Sequence, residues 1–295
     1  MQRNDRPQRR LILLLAIAIS LLCGRMIAAD DAAETNAGEQ TLGLEACLKT
    51  LHWHSPQGYS GLDPEAIRLV NWNIEKGTNP LWADDLANFL SSTDLITLQE
   101  GSPSLPMVNR LSDRYRVSFA EGYTNSYQRT GVMTFSEVEP IAECKLISYE
   151  PWLRTPKATL VTRYGLKGTD QTLLVINIHG INFSLGLIEL SAQFDDAAAL
   201  IAAHTGPVVF TGDFNTWHSG RIDLLDRKKT GLGLSALSFD PDYRTRTFGH
   251  ALDHIYVRGL DALFTASPDL QSSDHNPLIA ELRYVTGNTS KKEKP

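Results

Sequence analysis

Val208-Val209-Phe210-Thr211-Gly212-Asp213-Phe214-Asn215 runs from an apolar strand into a glycine and then offers an acid and an amide two residues apart. In extended backbone, residues two apart share a face, so Asp213 and Asn215 can address the same substrate atom. A plainer reading is open beside it, an Asx turn in which both residues cap a following helix over 219–229. The same pattern recurs through the chain. Apolar runs end at or beside Asn73-Ile74-Glu75, Gln99-Glu100, His179 with Asn182, Asp253-His254 and Ser273-Asp274-His275-Asn276. Polar side chains gathered at strand ends are where α/β proteins build their sites.

Short β-rich runs at 67–73, 95–99, 115–120, 131–135, 158–164, 172–178, 208–211, 252–257 and 278–284 predict strands, and helical patterns over 80–90 and 185–203 intervene. Strands follow strands directly between 115 and 178, which requires antiparallel pairing and fits two packed mixed sheets flanked by helices better than one doubly wound parallel sheet. With 295 residues, 42% hydrophobic and 21% charged, the composition is that of a globular protein able to bury a substantial core.

The first ten residues hold Arg3, Arg6, Arg9 and Arg10, and an apolar run follows over 11–23, interrupted only by Ser20. Ile27-Ala28-Ala29 closes it with small residues. Residues 1–29 therefore predict a signal peptide, with an uncleaved N-terminal anchor through 11–29 as the alternative that would keep the protein near a membrane. An exported, periplasmic or extracellular protein is expected in the first case and an inner-membrane-anchored one in the second. Downstream, 30–66 reads as an N-terminal extension, 67–285 as the main domain and 286–295 as a disordered tail. Residues 1–29 hold five Arg and one Asp, leaving 23 basic against 33 acidic residues, or −10, in the remainder. That balance excludes a broad basic nucleic-acid groove. Loss of the signal would leave Cys47 and Cys144, which read equally as a disulfide in an oxidising compartment or as two small buried side chains.

Several chemistries are excluded by what the chain lacks: no Gly-x-Ser-x-Gly elbow, no phosphate-cradling Gly-x4-Gly-Lys-Ser/Thr loop and no cysteine with a plausible base. Glu100 ends an apolar strand that would not tolerate a free charge, and a hard divalent cation is the natural partner. Oxygen ligands without a Cys/His cluster at zinc spacing point to Mg2+ or Mn2+. Asp253 on an adjoining strand would orient and charge the His275 imidazole. His52, His54, His204, His218 and His250 lack paired acids and are expected to be structural.

Taken in order, Asn73-Ile-Glu75, Gln99-Glu100, Asn177-Ile-His179, Gly212-Asp213-Phe-Asn215, Leu252-Asp253 and Ser273-Asp274-His275 resemble the signature of the endonuclease/exonuclease/phosphatase superfamily over roughly 67–285. Gly131-Val-Met-Thr and Asn177-Ile-His-Gly-Ile-Asn-Phe resemble a bacterial branch of it, whose substrate this kinship does not imply. The resemblance implies the DNase I-like fold, a four-layer α/β sandwich of two mixed β-sheets flanked by helices. It implies Glu100 as principal metal ligand, steadied by Asn73, with Glu75 or Asp274 contributing. Asp213 would orient or deprotonate the attacking water, Asn215 would bind a phosphate oxygen, and His275, held by Asp253, would stabilise charge on phosphorus. His179 would contact the phosphate or leaving oxygen. It stands where abasic-site nucleases carry Tyr and where secreted DNases and sphingomyelinases carry His.

Asn182 is a further candidate for the substrate phosphate. Arg244 and Arg246, just before Asp253, read either as a phosphate clamp or as solvated surface cations. The expected protein is a monomeric, metal-dependent phosphodiesterase acting on nucleic acid or another phosphodiester, first of all as an exported nuclease. A hydrolase of phospholipid or a small phosphate ester is the alternative. A non-catalytic binding module is disfavoured by the intact site residues. For lipid the sequence shows no amphipathic insertion and no evident exposed aromatic cluster, and Trp217 could stack a base or simply pack.

Overall fold

In a computed structural model, residues 43–52, 60–184 and 186–285 are described. The expected signal or anchor over 1–29 and the tail over 286–295 lie outside them. No helix among the described residues is long and apolar enough to cross a membrane.

Two mixed sheets face one another. The first joins, in spatial order, the strands Leu260–Ala266, Leu278–Tyr284, Ile67–Asn73, Leu95–Gly101, Arg129–Ser136 and Arg116–Thr124. The second joins Gly61–Leu62, Pro156–Leu166, Thr172–His179, Val208–Asp213, Asp253–Arg258 and Ser235–Ala236, with Ala142–Tyr149 also paired to Pro156–Leu166. Strand residues alternate between two buried faces, which is why these runs read as nearly continuous apolar sequence rather than as apolar/polar alternation. Leu69, Leu95, Leu278 and Leu282 meet Leu173, Val175, Val209 and Ile255 between the sheets. On the outside, Leu174, Ile176 and Ile178 pack with Phe194, Leu200 and Leu224 of the helices Ile188–Ala203 and Ser219–Thr230. Val70, Trp72, Ile96 and Leu98 pack with Trp82, Leu86 and Leu111 of Leu81–Phe89 and Pro106–Ser112. Helix, sheet, sheet and helix make the four layers expected from the sequence.

In each sheet one parallel pair carries site residues, and the second sheet holds a further parallel pair between Gly61–Leu62 and Pro156–Leu166. Ile67–Asn73 runs parallel to Leu95–Gly101 with Asn73 opposite Gln99, and Thr172–His179 runs parallel to Val208–Asp213 with His179 opposite Asp213. Antiparallel neighbours then bring the beginnings of strands to the same edge, so Asp253 stands opposite Asp213 and Leu278 opposite Asn71. Beneath that edge a buried polar bridge ties the sheets together. Gln99 Nε2 donates to Asn71 Oδ1 (2.9 Å) and to Asn177 Oδ1 (2.7 Å), and Asn177 Nδ2 donates to the Met133 carbonyl (2.9 Å).

The segment before Ile67, read from sequence as an extension, contributes to the core. Helix Leu44–His52 buries Cys47 and Leu51, and Cys47 is disulfide-bonded to Cys144 of the strand Ala142–Tyr149 with Cα atoms 5.4 Å apart. The helix was not visible in sequence because it is short and its stability comes from tertiary packing.

Candidate active site

At the shared edge a cavity of about 940 Å³ is lined by Asn73, Glu100, His179, Asp213, Asn215, Asp274 and His275, among others. Asp213 is positioned by Gly212, whose φ of 146° and close approach to the neighbouring strand leave no room for a side chain: an added Cβ would lie 2.0 Å from the Ile178 carbonyl. Asp213 Oδ2 accepts from Asn73 Nδ2 (3.1 Å) and Asp213 Oδ1 from the Asn215 amide (2.9 Å). Asn215 adopts φ 52° and its Nδ2 donates to the Gly180 carbonyl (3.0 Å). Neither residue caps the next helix. That cap is His218, whose Nδ1 accepts from the Gly220 amide; Asp213 does form an Asx turn with the Asn215 amide, but the turn presents both residues to the cavity and leaves the helix uncapped by either.

His275 Nδ1 lies 2.7 Å from Asp253 Oδ2, and ligand atoms of Asp213, Asp253 and His275 fall within 4.8 Å of one another. All three side chains are buried. Burial alone would push the imidazole down, but the Asp253 carboxylate outweighs it and, with Asp213 and Asp274, raises His275 to about 10. The acid that holds the imidazole and the second acid that faces it have the geometry of an acid/base unit. Burial raises Asp213, His275 opposes and Asp253 reinforces the shift, so the carboxyl titrates above the ordinary carboxylate range.

Glu100 sits in a β-bulge: the register against Arg129–Ser136 shifts between Leu98 and Gly101, and Glu100 takes φ 57°. A non-glycine residue held there costs about 1–2 kcal/mol, and the bulge turns the carboxylate into the cavity. Lys76 Nζ pairs with Glu100 Oε2 at 2.8 Å. Asp274 is raised by burial and, against His275, by the Glu75 and Glu100 carboxylates, and it lines the same cavity as Glu100. The lysine ammonium stands as a cation among them. An all-oxygen set of Asn73, Glu100 and Asp274 has the chemistry that a hard divalent ion requires. Glu75 is not among the cavity-lining side chains; it acts on this group from the flank, and its amide donates to Asn73 Oδ1 (3.1 Å).

His179 is the other wall. Lys157 Nζ lies 2.8 Å from His179 Nε2, which is 3.6 Å from Asp213 Oδ2. Burial, then Lys157, His275 and Lys76, push His179 well below its ordinary value, so it is neutral. Lys157 begins the antiparallel strand Pro156–Leu166, paired beside the end of Thr172–His179, and no acid, amide or histidine adjoins it in sequence. A charged residue opening an apolar strand was its only signal.

Asn182 lines the cavity, and its loop is held from below. Glu150 Oε1 accepts from the amides of Asn182 (3.3 Å) and Phe183 (3.2 Å). Fully buried Arg221 donates to the carbonyls of Ile181 (2.6 Å), Asn215 (3.1 Å) and Asn182 (2.8 Å). Arg221→Leu should destabilise the fold by about 3–5 kcal/mol, because three buried carbonyls lose their donor. Thermal unfolding of the variant measures this, and an unchanged midpoint would contradict it.

Arg244 and Arg246 are not brought into the cavity. Arg244 makes a two-pronged contact with Asp242 (both distances 2.9 Å) and Arg246 Nη2 donates to the same carboxylate (3.0 Å), so the clamp expected from sequence is absent from the lining. Trp217 lines the cavity but packs against the Arg221 guanidinium, 4.7 Å from the ring centroid.

Residues 70–275 match the model of the endonuclease/exonuclease/phosphatase family. The chain belongs to that family. A UPF0294 protein of Yersinia enterocolitica is 36% identical over 220 residues, covering 74% of this chain and 84% of the relative, and one of Vibrio parahaemolyticus is 36% identical over 225 residues, covering 75% and 80%. Among solved structures, the human Nocturnin catalytic domain with bound sulfate superimposes with a TM-score of 0.60 at 17% identity, covering 77% of this chain and 97% of that domain. D. rerio TDP2 complexed with a single-strand DNA product gives 0.55 at 16% identity (74% and 99%), and ANGEL2, a 2′,3′-cyclic phosphatase, gives 0.54 at 16% identity (77% and 99%). At these identities the structural likeness shows the DNase I-like fold, and the family is one of hydrolases.

Proposed function

We propose that the protein is a Mg2+- or Mn2+-dependent phosphodiesterase that attacks phosphorus with water. The observation that carries this is the His275–Asp253 pair, 2.7 Å apart and clustered with Asp213, at a cavity that His275 and Asp213 line together with Glu100, Asn73 and Asp274. Asp213, aligned by Asn73 and Asn215, takes the proton from water. The His275 imidazolium offsets negative charge building on the phosphoryl oxygens, and Lys157 with His179 presents a second polar contact to the phosphate or leaving oxygen. Glu100, Asn73 and Asp274 would hold the divalent ion, which when bound supplies Lewis-acid polarisation of the phosphate.

A diester is favoured over a monoester. The monoester brings an extra negative charge to an acidic chain, and Arg244 and Arg246, the cations that would have met it, are turned to Asp242. An exported nuclease is one form of this reading, and the single-strand DNA product bound by the TDP2 neighbour fits it. The test is a panel of plasmid DNA, single-stranded DNA, RNA, sphingomyelin, phosphoinositide and a soluble diester and monoester, each with magnesium and with chelator. Turnover of diesters in magnesium supports the proposal, and turnover of monoesters alone contradicts it.

Export is part of the proposal, supported by the Arg-rich start, the apolar run over 11–23 and the Cys47–Cys144 disulfide, which persists in oxidising compartments. Intact-mass measurement on protein from its native envelope should give a chain beginning near Asp30 with both cysteines oxidised. Retention of Met1 with reduced thiols would refute it.

A further inference from the structure

The mouth of the cavity is apolar, contrary to the expectation from sequence. Tyr123, Trp152, Leu153, Phe183 and Phe248 line the same cavity as Glu100 and His275, yet they are 44%, 62%, 68%, 59% and 82% exposed. Scattered exposed apolar side chains need no explanation, whereas five converging on one rim from four chain segments form a patch of the kind that meets an apolar partner. The sequence hid it because those segments lie up to 125 positions apart, between Tyr123 and Phe248.

The rim is held rather than loose. Glu150 fixes the Phe183 amide (3.2 Å), and the turn carrying Trp152 and Leu153 is closed by the Glu150 amide donating to the Thr155 carbonyl (3.0 Å) and the Arg154 amide to the Glu150 carbonyl (3.1 Å). Phe248 occupies φ 51° at the turn between the short strands Arg246–Thr247 and His250–Ala251. Such a backbone costs free energy to keep a phenyl ring in water.

Resting on the phosphodiesterase reading, we infer that the substrate is an amphiphilic phosphodiester, a phospholipid presented at a bilayer surface, with the rim seated in the interface and the phosphate on Asp213 and His275. Charge decides between this and a nucleic acid. The balance of −10 beyond residue 29 opposes a polyanion. Among the described residues around the mouth, Arg129 is paired with Glu121, Arg244 and Arg246 with Asp242, and Arg154 lies over the Tyr149 ring, while Lys76 and Lys157 sit inside the cavity on Glu100 and His179, so these cations form no line of phosphate contacts leading away from the site. Leu153 has no ring on which a base could stack, but it inserts among acyl chains as readily as the aromatics do. In the reaction water oxygen bonds to phosphorus, one P–O ester bond breaks, and the departing alkoxide takes up a proton, giving an alcohol and a phosphomonoester.

The full chain and its Trp152→Ser/Phe183→Ser/Phe248→Ser variant are compared in co-sedimentation with phosphatidylcholine vesicles and in turnover of those vesicles, of bis(4-nitrophenyl) phosphate and of a single-stranded oligonucleotide. Any contribution of residues 1–29 is common to both proteins. The expected result is at least ten-fold weaker vesicle binding by the variant and a fall of at least ten-fold in its ratio of vesicle to soluble-diester turnover. Phe248→Ser alone should shift both in the same direction, which guards against a triple variant that misfolds. Equal vesicle binding by parent and variants, or a larger loss on the oligonucleotide than on vesicles, overturns the inference. A chain that hydrolyses none of the three refutes the phosphodiesterase reading, and rim-dependent binding to vesicles still decides the surface.

Discussion

Glu100→Gln lowers phosphodiester turnover by about 10³-fold or more, equivalent to the several kcal/mol that a bound divalent ion contributes at a phosphoryl oxygen. The substitution keeps the shape of the side chain and the bulge that aims it, and removes one negative charge from a group that the protein has otherwise left with amide and carboxylate oxygens. Stability should barely change. The Lys76 pairing that is lost involves a lysine side chain 46% exposed, and such pairs contribute about 0–1 kcal/mol. Initial rates over a series of magnesium concentrations, with thermal unfolding alongside, separate the two effects. A variant as active as the parent would show that Glu100 holds no ion that the reaction needs.

Asp213→Asn and His275→Ala should each cost about 10²-fold or more in kcat, the range for removing general-base help or charge stabilisation. The double variant should lose less than the product of the two. Asp253 acts on both, so the pair serves one transition state. The pH profile carries the sign. Asp213 must be ionised to accept a proton, and burial raises it, so kcat/KM should fall as pH drops through a value above the ordinary carboxylate range. His275 stays charged through neutrality, so no second limb should appear between pH 6 and 8. Asp213→Asn should flatten the acid limb. Strict multiplicativity of the two single effects would show that the residues act independently.

What the sequence disclosed follows from where the information sits. Asp213, Asn215, Glu100 and Asn73 were legible because a parallel pair in each sheet delivers its chemistry at the C-terminal end of an apolar run. The Asp253–His275 contact was legible because an acid and an imidazole beginning two strands have a reason to meet. Lys157 and Arg221 were not, since one opens its strand with no acid or histidine beside it to mark a site and the other is buried by a fold that no local pattern records. Arg244 and Arg246 misled because a nearby cation says nothing about its partner, and Asp242 is two residues from the first and four from the second. Helix Leu44–His52 and the apolar rim depend on contacts between distant segments, so composition and periodicity could not reveal them.

The proposed reaction needs a divalent ion working with the Asp213, Asp253 and His275 unit. Its most direct test is the initial rate of bis(4-nitrophenyl) phosphate hydrolysis by the purified chain in magnesium, after EDTA, and after magnesium is restored. The predicted result is turnover that is lost with chelator and regained with the metal, and turnover undiminished in EDTA would contradict it.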